Sequence, residues 1–140
     1  MYFGTQATLP GNDAFVEIGG VTSIPPYGAD ATPIKIQTIG NSLELTEKGV
    51  NTLGGGTLEC VRDTSDTGQT NLSNAQLTGA GNYNLRIIWN DKATTNGTGT
   101  IKDIKVKVLG DQTIMGGPNN PTKINFTLGY NSIPVTTAAT

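Results

Sequence analysis

The sequence contains no histidine, a single cysteine (Cys60) and a single tryptophan (Trp89), and only 14% of its 140 residues are charged. Each shortage excludes something. Without histidine there is no Ser-His-Asp or Cys-His catalysis and no His-ligated zinc, and one cysteine cannot build a disulfide framework within a chain. The missing charge is replaced by Thr, Asn, Gln and Gly, and nine Lys and Arg against 11 Asp and Glu leave a net charge of −2. No uncharged apolar run approaches the roughly 20 residues of a membrane span. The opening MYFGTQATLPGNDAF has neither the basic nor the apolar region of an export signal. The expectation is a soluble, non-enzymatic chain with no cofactor, no metal and no membrane partner. Aromatic residues make up 6%, few for the exposed-ring platforms of sugar-binding modules. The sequons at Asn71, Asn96 and Asn125 are what a chain rich in Asn and Thr produces by chance.

What is present is period-two alternation, the signature of half-buried strands. In Tyr83–Asn90, Tyr83, Leu85, Ile87 and Trp89 share one face. In Lys102–Leu109, Ile104, Val106 and Val108 oppose Asp103, Lys105 and Lys107. In Lys123–Tyr130, Ile124, Phe126, Leu128 and Tyr130 alternate with Lys123, Asn125 and Thr127. Weaker strands are expected over Phe15–Ile24, interrupted at Gly19-Gly20, and over Pro33–Ile39 and Thr57–Arg62. Between Arg62 and Tyr83 alternation stops, and Ser65, Asp66 or Thr67 is placed to cap one short helix. Asp91–Gly99 reads as a hairpin connection centred on Asn96-Gly97, with positive φ there. Leu43–Gly56 has no convincing period and reads as a long loop, which in a compact domain is usually functional or disordered. The expected core is Leu58, Cys60, Leu85, Ile87, Trp89, Ile104, Val106, Val108, Ile124, Phe126 and Leu128. The fold class is mainly β, a β-sandwich or half-barrel with one short helix, in one domain over residues 1–140. Its first 13 residues form an arm and residues 131–140 a tail, both flexible or ordered on assembly.

Motifs that imitate chemistry have plainer readings. Asp66-Thr67-Gly68 matches the aspartic-protease triplet, but Asp63-Thr64-Ser65 precede it where that family needs apolar strand residues. Asp63, Ser65, Thr67 and Gly68 imitate the start of a calcium loop, yet Asn74 stands where the bidentate Glu belongs. Gly54-Gly55-Gly56 leads into a strand and not a helix, unlike a phosphate cradle. Lys102, Lys105 and Lys107 form the one basic cluster, and without aromatic neighbours they read as a solvated or guarded strand face.

The order of these features carries a resemblance. Ile18-Gly19-Gly20-Val21-Thr22-Ser23-Ile24, the strand Pro33–Ile39, and the long loop closing in Gly54-Gly55-Gly56-Thr57-Leu58 come first. Asp63-x-x-Asp66-x-Gly68-Gln69 then opens a helix, and a strand-hairpin-strand ends in Leu109-Gly110-Asp111. The chain resembles, over roughly residues 14–130, the tail tube proteins of long non-contractile-tailed phages, the lambda-type major tail protein family. The family's second strand usually runs into an acidic segment where this chain has Ile39-Gly40-Asn41-Ser42, and its helix is usually longer and more apolar. The resemblance implies a fold like the tubes of contractile tails and type VI secretion. It also implies hexameric rings whose strands join into a continuous inner barrel and stack head to tail into a virion tail tube. Such a tube conducts double-stranded DNA without specific binding. Partners by the same resemblance are further copies of the chain, a tape measure protein, a tail terminator and distal tail or baseplate proteins, with assembly in the host cytoplasm. The rival class is an immunoglobulin-like or carbohydrate-binding sandwich acting as a binding or decoration module on a virion or cell surface.

The long loop is the expected assembly element, through Leu43, Glu44, Leu45, Glu47, Lys48, Val50, Asn51, Leu53 and Gly54, with Lys92, Lys105 and Lys107 as charge partners in a neighbouring copy. The motive for the charge partners is a charge split. Residues 1–70 carry a net of −5 and residues 71–140 a net of +3.

Overall fold

A computed structural model describes residues 1–4, 13–40, 42–78 and 81–140. The chain is mainly β with one helix. In order, the elements are β1 (Tyr2–Gly4), β2 (Phe15–Glu17), β3 (Val21–Ser23), β4 (Ala29–Ile36), β5 (Leu45–Leu53), β6 (Gly55–Val61), α1 (Thr67–Thr78), β7 (Tyr83–Ile88), β8 (Ile101–Ile114), β9 (Lys123–Tyr130) and β10 (Val135–Thr137). The main sheet runs β2-β1-β7-β8-β9-β6-β3 with all pairs antiparallel, and β10 adds to β8; β4 and β5 pair only with each other.

Only Ile18, Gly19 and Gly20 separate the two strands at opposite ends of the sheet, so the sheet curls until its ends meet on one kinked segment. The Ile18 N–H donates to the Met1 carbonyl at 2.9 Å on one side of the kink, and the Val61 N–H to the Gly20 carbonyl at 2.8 Å on the other. Gly20 has φ +67°, and a Cβ there would press on the Val61 backbone; glycine is what lets the chain turn this corner. The arrangement agrees with the expected mainly β sandwich or half-barrel with one short helix, with the two end strands of the main sheet brought near each other at this corner.

The alternating residues of β6, β7, β8 and β9 fill the interior. Leu58, Cys60, Leu85, Ile104, Val106, Phe126 and Leu128 are essentially inaccessible, joined by Phe3, Ile18, Tyr130, and Leu72 and Ala75 of the helix. Trp89 is the one residue of the expected core that lies outside it, at 47% exposure. Its phase is right, but β7 ends at Ile88, so Trp89 stands beyond the paired strand with its indole half-exposed.

Other expectations need correction. Leu43–Gly56 is not a loop: Leu45–Leu53 is a nine-residue strand. Tyr2–Gly4, expected in an arm that is flexible or ordered on assembly, is an inner strand with Phe3 in the core, and Val135–Thr137 of the tail given the same expectation pairs with Asp103–Ile101 within the chain. Residues 5–12 of that expected arm lie outside the described residues. The Asp91–Gly99 connection turns at Thr94–Gly97, where the Gly97 N–H donates to the Thr94 carbonyl at 3.0 Å, with no positive φ. A nine-residue connection has room for an ordinary turn, so the strained φ of a two-residue loop is not required.

Candidate assembly surface

Three features stand out beyond the core: a capped corner, a polar mouth and a projecting arm. The corner explains Asp63–Gln69. Asp66 caps α1, accepting the Gln69 N–H on Oδ1 at 2.7 Å, while its Oδ2 accepts the Gly19 N–H at 2.9 Å. Gln69 is buried, and its amide donates to the Gly19 and Val61 carbonyls and accepts the Asp63 N–H, at 3.0, 2.8 and 3.1 Å. Backbone groups orphaned by the sheet corner are thus satisfied by the helix start. Asp63 accepts the N–H and Oγ–H of Ser65, which holds its carboxyl below the usual range. Both carboxylates of the apparent protease triplet and calcium loop are therefore engaged in capping and turn formation. Gly68 is required for close approach, since a Cβ would collide with the Glu17 carbonyl.

At the mouth, Trp89 Nε1 donates to the Tyr27 hydroxyl at 3.1 Å and Lys102 Nζ sits 5.9 Å from the indole centroid. Lys102 shares the inward phase of Ile104 and Val106, whereas Lys105 and Lys107 lie on the outer face of β8. The three lysines do not form one basic face. On the same outer face Arg86 makes a two-point ion pair with Asp103, at 2.7 and 2.9 Å, and covers the Phe15 ring at 4.0 Å. Burial pushes the Cys60 thiol up to about 11, which keeps it a protonated, unreactive core residue.

The arm is the hairpin of β4 and β5. Tyr27 and Leu53 at its root pack against the core; beyond them almost every side chain is exposed. Register sorts its outer half into two faces. Ile36 opposes Leu45 and Ile34 opposes Glu47 on one face, while Lys35 opposes Thr46 and Pro33 opposes Lys48 on the other. A register shift between Ala31 and Pro33 places Gly49 and Val50 in a bulge, and Lys35 pairs with Glu44 at 2.6 Å. Exposures of 51% at Ile34, 41% at Ile36, 108% at Ile39, 68% at Leu43 and 51% at Leu45 make the end of this arm an uncovered apolar patch. Most of the expected assembly residues are on this element: Leu45, Glu47, Lys48, Val50, Asn51 and Leu53 in β5, Leu43 and Glu44 just before it, and Gly54 at its root. Lys92 is exposed in the β7–β8 connection. Sequence reasoning missed Ile34, Ile36 and Ile39, whose signal was three isoleucines at a spacing that no body strand needed to bury.

Comparison of the chain with models of known protein families, and with curated proteins, gives no match.

Proposed function

We propose that the chain is a structural subunit that joins copies of itself into hexameric rings stacking head to tail, forming a tube of the phage-tail type through which double-stranded DNA passes. The observation that carries this reading is the arm. A body with a filled core projects an amphipathic hairpin whose face of Ile34, Ile36 and Leu45 is exposed among the described residues. Contiguous apolar surface of this kind marks an interaction site, and a protruding arm that docks on a different surface of an identical copy makes a heterologous contact, which repeats into an open assembly. The phage setting, and with it the tape measure, terminator and distal tail partners, rests on the resemblance of the sequence order described above.

Negative-stain microscopy of the purified protein over a concentration series tests the proposal. Rings or tubes are expected, with Ile36→Ser/Leu45→Ser leaving a folded monomer; dispersed monomers of the unmodified chain at the highest concentration would overturn it. One observation favours the rival binding-module reading: Trp89 is half-exposed beside Tyr27, as an aromatic platform would be. Dispersed monomers that bind an oligosaccharide, with loss of binding in Trp89→Ala, would support that reading instead.

A further inference from the structure

A backbone nitrogen can attack the side-chain amide of the asparagine before it, and glycine does so most readily, because no Cβ keeps its nitrogen away from the carboxamide. Among the asparagines of this chain only Asn96 is followed by glycine. Every other asparagine precedes a residue that carries a Cβ.

Asn96 is exposed in the connection between β7 and β8, in none of the strands. The attacking atom, the nitrogen of Gly97, is engaged: its N–H donates to the Thr94 carbonyl at 3.0 Å and closes the turn. Gly97 also lies against Thr140, so closely that a Cβ would collide with the Thr140 carbonyl. The Thr140 N–H donates to the Thr98 carbonyl at 2.9 Å, and the Thr98 N–H donates to Thr140 Oγ1 at 3.2 Å. The carboxamide is thus open to water, while the nitrogen beside it is held by a few bonds of a surface turn, which open at far lower cost than a core strand.

We propose that Asn96 is a site of spontaneous deamidation, and that closure of the 94–97 turn against Thr140 sets its rate. When the turn opens, the Gly97 nitrogen gives its proton to solvent and forms a bond to Asn96 Cγ. The Cγ–Nδ2 bond breaks, Nδ2 takes up a proton and leaves as ammonia, and a cyclic imide remains. Water then opens the ring at either carbonyl, its hydroxyl going to the carbon and its proton to the nitrogen. The product is an aspartate at 96 or its isoaspartyl isomer, in which the main chain runs through the former side chain. Water is the only co-reactant. Each event adds one negative charge to a chain of net charge −2, and the isoaspartyl form puts an extra carbon into the backbone next to the Thr98–Thr140 pair. The inference stands independently of how the chain assembles.

The test holds the folded protein in mildly alkaline buffer made with heavy-oxygen water, then digests it with trypsin in ordinary buffer and reads the peptides by mass spectrometry. Cleavage after Lys92 and Lys102 releases residues 93–102, whose one side-chain amide is that of Asn96. A labelled carboxyl in this peptide therefore reports Asn96 alone, and the heavy label separates the incubation from the digestion. Labelled aspartyl and isoaspartyl forms are expected to accumulate in it faster than in any other asparagine-containing peptide, and roughly tenfold to hundredfold more slowly than in the same chain unfolded in guanidinium chloride. Asn96→Gln, whose longer side chain closes the ring poorly, should leave the peptide unlabelled. A peptide still unlabelled in the folded protein when the unfolded chain is fully converted, or labelling that is faster at another asparagine, would overturn the site. Equal rates in folded and unfolded protein would overturn control by the turn.

Discussion

Replacing Gln69 by alanine tests the claim that the helix start holds the sheet corner. The side chain is 3% exposed and makes three bonds, to the Gly19 and Val61 carbonyls and from the Asp63 N–H. A typical intramolecular hydrogen bond contributes about 1 kcal/mol net, and a buried group left without a partner costs about 1–3 kcal/mol. Water reaches part of this site, so the three losses should sum to roughly 2–4 kcal/mol rather than the upper limit. Against a total stability of about 5–15 kcal/mol this is a large fraction. With a urea slope of about 1.5 kcal/mol/M, the unfolding midpoint should fall by roughly 1.3–2.7 M. Ser73→Ala, on the same helix, is the control and should stay within about 0.5 kcal/mol. Urea titration followed by circular dichroism reads both. A Gln69→Ala midpoint no lower than that of the control would refute the reasoning, because the corner would then be held by the glycine conformation alone.

Trp89→Ala should cost about 1–2 kcal/mol, below the 3–5 kcal/mol of a fully buried aromatic; a loss of 4 kcal/mol or more in the same titration would return Trp89 to the core. Cys60 should resist a thiol reagent at pH 8 and react only as the chain unfolds, since burial holds its pKa near about 11; fast labelling of folded protein would contradict its position. Glu59 is held below its ordinary value of 4.5, first by the hydrogen bond from Lys123 and then by that from Thr22, while Asp63 and Asp91 are held below 3.8 by bonds from Ser65 and Thr100. Protons therefore bind the unfolded chain more readily, and the stability these groups contribute is complete above about pH 5 and lost as pH falls through the depressed values. Calorimetry should find a Tm that declines below about pH 4.5; a Tm rising between pH 5 and pH 3 would contradict the sign.

Alternation reports burial, and this decides which strands were legible. β9 was readable over its full length because each inward residue, Ile124 to Tyr130, is buried and each outward one is not. β7 and the first half of β8 were readable from the chemistry of their residues, although outward-facing Asn84 and Asp103 are buried as well, Asp103 under its ion pair with Arg86. β5 was not readable, because both its faces are exposed: a strand that packs on nothing has no reason to alternate, and Leu45, Glu47 and Gly49 on one face have no common chemistry. β1 and β10 are three residues each, too short to show a period. The helix was readable from its cap rather than from an apolar stripe, since of its side chains only Gln69, Leu72 and Ala75 are buried, with Gly68 close against β2. Trp89 was misread because phase alone cannot say where a strand stops. Leu43–Gly56 stood out in the sequence by its span alone, while its pairing with β4 and the two faces this creates follow only from register.

The charge split can now be placed. In the main sheet the strands from residues 71–140, β7, β8 and β9 with β10 beside β8, are flanked by β1 and β2 on one side and by β6 and β3 on the other. Of the eight acids among residues 1–70, Glu17 and Glu59 lie in strands of the main sheet, Asp30 and Glu47 in the arm and Asp63 and Asp66 at the helix start, whereas five of the six bases among residues 71–140 lie on β7, β8 and β9. One ion pair, Lys123 with Glu59 at 2.7 Å, links the two sets where β9 meets β6. Copies meeting arm to body would bring opposite signs together, which speeds encounter and fixes orientation more than it adds affinity. The two acids of the arm are not equivalent. Glu44 already pairs with Lys35, whereas Glu47 shares the face of Ile34 and Ile36, the side expected to dock. Assembly should therefore slow as salt rises, since exposed charges are screened over roughly 8–10 Å at physiological ionic strength. Glu47→Lys should slow it several-fold more than Glu44→Lys, and Lys105→Glu or Lys107→Glu, reversing the outer face of β8, should restore part of the Glu47→Lys rate. Light scattering across a salt series reads all four. A rate insensitive to salt and equal for Glu44→Lys and Glu47→Lys would mean that shape and strand pairing alone govern how copies meet, and that the charge split has no part in it.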